Sequence, residues 1–316
     1  MGGEGGSGGG EAPLVCVDSE FVNEPALPDY AATGAKMGEH CLGTDHQDVD
    51  GVERVVFLGD SMTVGTPPTQ PKHFFRAQLA ETLATLWGLP APKASWRIPN
   101  PLTGQATKIE DGAFASCARW SARAADVVDE QLDQCFSGAD FDKRTLVVMT
   151  VGGNDMQDVT QLALDGEPPE VVAARAAKMT ADQRAILDWL NTPGRFPAGV
   201  FVVAANVYEF TDRTGGFSGC DVSSLVGFDE PLPAPDEVLG LLDEANVALV
   251  THAATTGADV VMAMEAFCGH GFAREDDAAP CYRGAGVDRW FDLTCIHPNR
   301  AGHDVLATMF ASVITE

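Results

Sequence analysis

The sequence predicts an α/β domain in which a parallel sheet is covered by helices on both faces. Two observations predict it: four short apolar, β-branched runs without polar alternation, and five amphipathic stretches that lie between and after them. A strand with one wet face would alternate apolar and polar residues. A continuous apolar run is instead buried on both sides, which a sheet achieves when helices lie above and below it. The first run is residues 52–58 (VERVVFL), followed by 145–151 (TLVVMTV), 199–207 (GVFVVAANV) and 258–264 (ADVVMAM). Helical periodicity covers 73–87, 121–132, 170–190, 236–256 and 302–314. The regular alternation argues for one domain over 52–316, preceded by an irregular Pro- and Gly-punctuated lead-in over 13–51 and a Gly-rich tail over 1–12 (MGGEGGSGGGEA). Residues 66–71, 89–112, 211–235 and 268–292 read as irregular. Loops that long on a compact scaffold either shape a binding site or are stapled.

Of the 316 residues, 46 are acidic and 20 basic, a formal net charge of −26. Such a surface repels polyanions, which speaks against nucleic acid and against anionic membranes as partners. No window approaches the roughly 18 apolar residues of a spanning helix, so no transmembrane segment is expected. The tail has neither a basic start nor an apolar stretch. It reads as a tether whose export signal is absent, or as a linker.

Eight cysteines stand at 16, 41, 117, 135, 220, 268, 281 and 295, with no C-x-x-C pair. An even count without metal spacing points to disulfides and to an exported or surface-tethered protein. Cys16–Cys41 and Cys117–Cys135, adjacent in sequence, are the natural first pairings. Two other readings remain: eight buried thiols, or a metal site drawing on Cys268, His270, Cys281, Cys295 and His297. The one-residue gaps in Cys268-Gly-His270 and Cys295-Ile-His297 are too short for a zinc ribbon or finger. No metal and no organic cofactor is expected.

In an open parallel sheet, ligands bind beyond the carboxyl ends of the strands. Two such ends carry reactive groups: Gly59-Asp60-Ser61-Met62-Thr63 and Gly152-Gly153-Asn154-Asp155. A third segment, Cys295-Ile296-His297-Pro298-Asn299, precedes the last helix. Each alone is explained by turn and cap chemistry, since Asp, Ser and Asn oxygens satisfy free amides at helix starts. Their joint presence and order carry the functional reading.

These three segments resemble the GDSL or SGNH hydrolases, esterases and lipases of a flavodoxin-like three-layer α/β/α fold. VVFLGDSMTVG resembles the nucleophile block, with Met62 where Leu is usual, and Gly152-Gly153-Asn154-Asp155 matches the G-x-N-D block. His297-Pro298-Asn299, with Gly302-His303 behind, is similar to the C-terminal histidine block. The resemblance covers about 52–314. It implies Ser61 as nucleophile, His297 as general base, and an oxyanion hole formed by the Ser61 N–H, a second backbone N–H and the Asn154 side chain. Asp60, Gly153 and Asp155 would then be structural residues beside the site.

Two positions depart from the family pattern. Its second block provides a Gly amide, and the local match Trp120-Ser121-Ala122-Arg123-Ala124-Ala125-Asp126 puts Ser121 there. A backbone donor survives any side chain if Ser121 can adopt the required angles. The family's acid three residues before the histidine is here Thr294, which carries no charge. Either Asp292, five residues before His297, reaches Nδ1, or a main-chain carbonyl near 290–294 does so, as in dyad members. The carbonyl is the preferred of the two.

A Ser hydroxyl is a weak nucleophile at neutral pH, so His297 would take its proton and later return it to the leaving alkoxide. The substrates expected are small-molecule or lipid esters, with Phe217 and the segment Leu225-Val226-Gly227-Phe228 available to line an acyl pocket. Carbohydrate O-acetyl esters are the enzymatic alternative, and a non-catalytic binding protein on the same scaffold is the rival from another class. An α/β-hydrolase would need G-x-S-x-G, and its second Gly is Thr63 here.

Overall fold

The computed structural model describes residues 21–98, 108–220 and 230–316. Within them the four apolar runs become β1 (Arg54–Gly59), β4 (Thr145–Thr150), β5 (Val200–Ala205) and β6 (Asp259–Val261). Two short strands, β2 (Ile109–Asp111) and β3 (Phe114–Ser116), join them. The sheet order is β2-β3-β1-β4-β5-β6, parallel throughout except for the antiparallel β2–β3 pair.

Alternate residues of each strand enter two different cores, as a period of two requires. Val56, Leu58, Val147, Met149, Val202 and Ala204 face one side. There they meet α6 (Pro169–Leu190), α7 (Pro235–Thr256) and a composite helix made of α3 (Ala124–Asp126), a π turn (Val127–Gln131) and α4 (Leu132–Cys135). Val55, Phe57, Leu146, Val148, Val203 and Val261 face the other side. They pack on α2 (Phe75–Trp87) and α9 (Arg300–Thr315). The expected three-layer α/β/α arrangement with its central parallel sheet is therefore observed. Pro169 and Pro235 each occupy the first helical turn, where a missing N–H costs nothing.

Several boundaries differ from expectation, each for a local reason. The fourth run stops at Val261, because Met262 N–H donates to Leu42 O (2.9 Å) and Met264 N–H to Asn206 Oδ1 (2.8 Å). The chain then turns into the short α8 (Ala263–Phe267). The helix expected from 121 starts at Ala124, since Ser121 has a left-handed φ of 60° that no helix admits. Gly152-Gly153-Asn154-Asp155 is more than a turn: it opens the twelve-residue α5 (Gly153–Leu164). The lead-in, where described, is bound to the sheet edge. Thr44 Oγ1 donates to Asp259 Oδ1 (2.9 Å), and Gln47 pairs both ways with the main chain of Val202. The 1–12 tail lies outside the described residues.

Among the described residues three disulfides close, Cys117–Cys135, Cys220–Cys295 and Cys268–Cys281, with Cα separations of 5.9, 5.8 and 5.4 Å. The first is one of the pairings expected from sequence. Cys16 of the other falls outside the described residues. The metal reading is corrected: Cys268, Cys281 and Cys295 spend their sulfurs on disulfides. Among the described residues no helix is long and apolar enough to cross a membrane.

Candidate active site

β1 delivers the first reactive group. It ends at Gly59, whose φ is 117° and where a Cβ would lie 1.8 Å from Thr150 O, so only glycine fits between β1 and β4. Gln131 holds both sides of this residue, accepting from Gly59 N (2.7 Å) and donating to Gly59 O (2.8 Å). Asp60 then caps the four-residue α1 (Ser61–Val64), accepting from Met62 N and from Thr150 Oγ1, both at 3.0 Å. Burial pushes the Asp60 carboxyl up to about 7, against the pull of these two donors. Ser61 is the first residue of α1, where a helix leaves its N–H without an internal acceptor.

β4 delivers the second group by the same logic. Gly152 has a φ of 121°, and a Cβ there would press on Val207 and Gln183. Gly153 follows at the start of α5, and a Cβ on it would meet only Asp60 Oδ2 at 3.8 Å, an ordinary contact. Asn154 donates one side-chain N–H to Ala122 O (2.9 Å), which leaves its amide a second proton. Asp155, 1% exposed, accepts from Ala124 N (3.0 Å) and Arg175 Nη2 (2.8 Å). Burial raises its pKa and these donors oppose the rise. Arg175 and Arg123 also share Asp158, so α5 and α6 grip the segment after Ser121 from two sides. Ser121 itself takes a left-handed φ of 60°, a conformation that favours glycine. Its neighbour Trp120 donates from Nε1 to Gly65 O (3.0 Å), tying that turn to the end of α1.

The third group comes from a loop closed on itself. Phe291 and Pro298 form a bridge, Asp292 N–H donates to His297 O (2.9 Å), and Cys295 takes a φ of 71°. The loop brings His297 Nε2 to 2.8 Å from Ser61 Oγ across 236 residues of chain. Behind the ring, Nδ1 lies 2.7 Å from Thr294 Oγ1. The Thr294 hydroxyl in turn donates to Asp292 Oδ1 (2.6 Å), which also accepts from Thr294 N (2.7 Å). Neither expectation for Nδ1 describes this: its partner is the Thr294 hydroxyl rather than a main-chain carbonyl, and Asp292 reaches the ring only through that hydroxyl. The sequence signal for it is the spacing D-x-T-x-x-H, in which the uncharged Thr does not read as an acid. Asp292 is 5% exposed, and burial raises its pKa against the Thr294 donors and Arg289.

Burial lowers the His297 imidazole to about 4. His303, which follows in α9, is fully buried, stacked on Phe75, tilted against Phe74 and accepting at Nδ1 from Phe75 N (3.3 Å). His270 stacks on Trp290. Both are packing residues in this geometry. Among the described residues no group of three or more His, Cys, Asp or Glu is placed to hold a metal ion.

Ser61, Asn154 and His297 all line one pocket with about 990 Å³ of empty space, its open side included. Its walls are mostly apolar, from Met156 of α5, from Val207 and Phe217 after β5, and from Val238, Leu239 and Leu242 of α7. Phe217 thus lies where the sequence suggested, whereas 225–228 fall outside the described residues. The contribution of α7 was not foreseen, because an apolar helix face reads the same whether it meets a core or a cavity.

Curated protein sequences give no match. The structure is similar to a lipase from a goat rumen metagenome, with a TM-score of 0.53 at 13% identity, over 82% of this chain and 96% of that one. It is also similar to phospholipase A1 from Streptomyces albidoflavus (TM-score 0.48, 19% identity, 83% of this chain and 99% of that one). A catalytic mutant of an acetylxylan esterase from Geobacillus stearothermophilus gives a TM-score of 0.45 at 13% identity, over 85% of this chain and 97% of that one. The model of the GDSL-like lipase/acylhydrolase family matches residues 57–305. With a family match spanning most of its length and all three motif segments meeting at one pocket, the chain belongs to the GDSL-like lipase/acylhydrolase family and is an ester hydrolase.

Proposed function

We propose that this protein cleaves carboxylic esters of apolar acyl chains through an acyl-enzyme on Ser61. The observation that carries the reading is the 2.8 Å contact between Ser61 Oγ and His297 Nε2 in the wall of a mostly apolar pocket. His297 takes the Ser61 proton as the hydroxyl attacks the ester carbonyl, then gives it to the leaving alkoxide. Water repeats the cycle on the acyl-enzyme. The developing oxyanion is held by the N–H groups of Ser61 and Ser121 and by the Asn154 amide. Asp60 and Asp155 keep α1 and α5 in place.

The pocket favours a fatty acyl group over acetyl. Each methylene moved from water into an apolar pocket is worth up to about 0.8 kcal/mol, so hexanoate could gain up to about 3 kcal/mol over acetate. A p-nitrophenyl ester series tests this, with kcat/KM for hexanoate expected at least about tenfold above that for acetate. A flat series, or an acetate optimum, would turn the reading toward O-acetyl esters. A fluorophosphonate adduct on Ser61, absent in Ser61→Ala, tests the nucleophile.

The base works as neutral imidazole, so activity is lost as pH falls through its pKa in the folded protein. With burial lowering that value to about 4, kcat/KM for a neutral ester should hold from pH 7 to about 5 and decline below it. A half-point near the ordinary histidine value of 6.5 would contradict this. We place the protein outside the cell, on the support of three disulfides, which persist in oxidising compartments.

A further inference from the structure

We propose that Thr294 and Asp292 form a hydroxyl-bridged acid: the carboxylate acts on His297 through the interposed Thr294 hydroxyl, and both are positioning residues for the base. The inference rests on the assignment of His297 as base to Ser61. A neutral imidazole has one N–H, and for Nε2 to receive the Ser61 proton that N–H must sit on Nδ1. The group facing Nδ1 must therefore accept. A hydroxyl can accept or donate, and its other partner decides which. Here that partner is Asp292 Oδ1 at 2.6 Å, which as a carboxylate oxygen can only accept, so the hydroxyl proton points at Asp292. The same oxygen takes the Thr294 N–H at 2.7 Å, which fixes the carboxylate within the turn. A Thr294 lone pair is then left for Nδ1–H at 2.7 Å.

The loop makes the arrangement specific. Asp292 and His297 are joined by Asp292 N–H donating to His297 O, and Cys295 N–H donates to Asp292 O (3.2 Å), so Thr294 lies at the bend between acid and base. Cys295, one residue on, is tied by its disulfide to Cys220, which limits how far the bend can open. When the Ser61 proton reaches Nε2, the positive ring faces a hydroxyl already polarised by a carboxylate. Hydrogen bonds in such chains strengthen one another. No proton leaves Nδ1: the Ser61 proton goes to Nε2 and from there to the leaving alkoxide, and Thr294 and Asp292 keep their protonation states throughout.

The test is a double-mutant cycle on the full chain with a p-nitrophenyl ester. Thr294→Val keeps the shape and removes the hydroxyl, and should lower kcat by roughly 10²-fold with KM within about twofold. Thr294→Ser restores the hydroxyl and should stay within about threefold of the parent. Asp292→Asn should cost roughly 10-fold or more in the parent but less than about twofold on top of Thr294→Val, because residues that act as one unit are not additive. A parent-like kcat in Thr294→Val, a Thr294→Ser protein as poor as Thr294→Val, or fully multiplicative effects would each overturn the bridge. Should Thr294→Val fail to fold, Thr294→Ser and Asp292→Asn decide: a Thr294→Ser protein down by about 10-fold or more, or an Asp292→Asn protein at parent activity, overturns it. Failure of Ser61 to take a fluorophosphonate in the parent would remove the base assignment and this inference together. A labelled Ser61 with an indifferent Thr294 removes this inference alone.

Discussion

Ser61→Ala should lower kcat by on the order of 10⁶, leaving only the small acceleration that binding and the oxyanion donors give to direct water attack. The size follows from the division of labour. The acyl-enzyme route has no path without the hydroxyl, and His297 then has no nucleophile within 2.8 Å to deprotonate. His297→Gln should cost a similar amount, and the double variant little more than either alone, because the pair acts as a unit. KM for a hexanoyl ester should stay nearly constant, since the apolar walls from α5 and α7 remain. Thermal midpoints should also change little: the Asp60 cap on α1 remains, and the variant gives up only the side-chain hydrogen bond to His297. A residual rate within about a hundredfold of the parent would mean that another group performs the attack.

The second large effect concerns Asn154. Removing one preorganised donor from an oxyanion site typically costs about 10²–10³ in kcat. Asn154→Ala should fall in that range with KM nearly unchanged, because the oxyanion exists only along the reaction path. Asn154→Asp is the sharper variant. It keeps the size, places a negative charge where negative charge develops, and should fall below Asn154→Ala. Steady-state kinetics with one ester across the three proteins measures both. The Ala122 carbonyl loses its donor in either variant, so a modest drop in stability, about 1 kcal/mol, should accompany the kinetic effect. A stability loss without a change in kcat would make Asn154 a brace for the Ser121 turn only.

Most of the scaffold was legible because its strands are buried on both faces. TLVVMT and VFVVAA admit no other placement in a chain whose helices alternate with them. Features set by tertiary hydrogen bonds were not legible. The ADVVMAM run reads as one strand until the Asn206 side chain takes Met264 N–H and starts α8. Gly152-Gly153-Asn154-Asp155 reads as a turn because its two glycines hide the helix that Asn154 and Asp155 begin. β2 and β3 are three residues each, too short for any periodicity. In the site, Ser61, Asn154 and His297 could be named because each stands in a motif at a strand end or helix start. The place of Thr294 is harder to read, since the uncharged hydroxyl stands out only beside the Asp292 oxygen two residues away and the bend that sets it against Nδ1.

The Cys220–Cys295 bridge has a mechanical consequence. Cys220 N–H donates to Phe217 O (3.2 Å), so Phe217 of the pocket wall and Cys295, two residues before His297, hang on one covalent strap. A guest bulky enough to lever Phe217 outward would tug the imidazole off its axis, and misfit would then register as slower turnover as well as weaker grip.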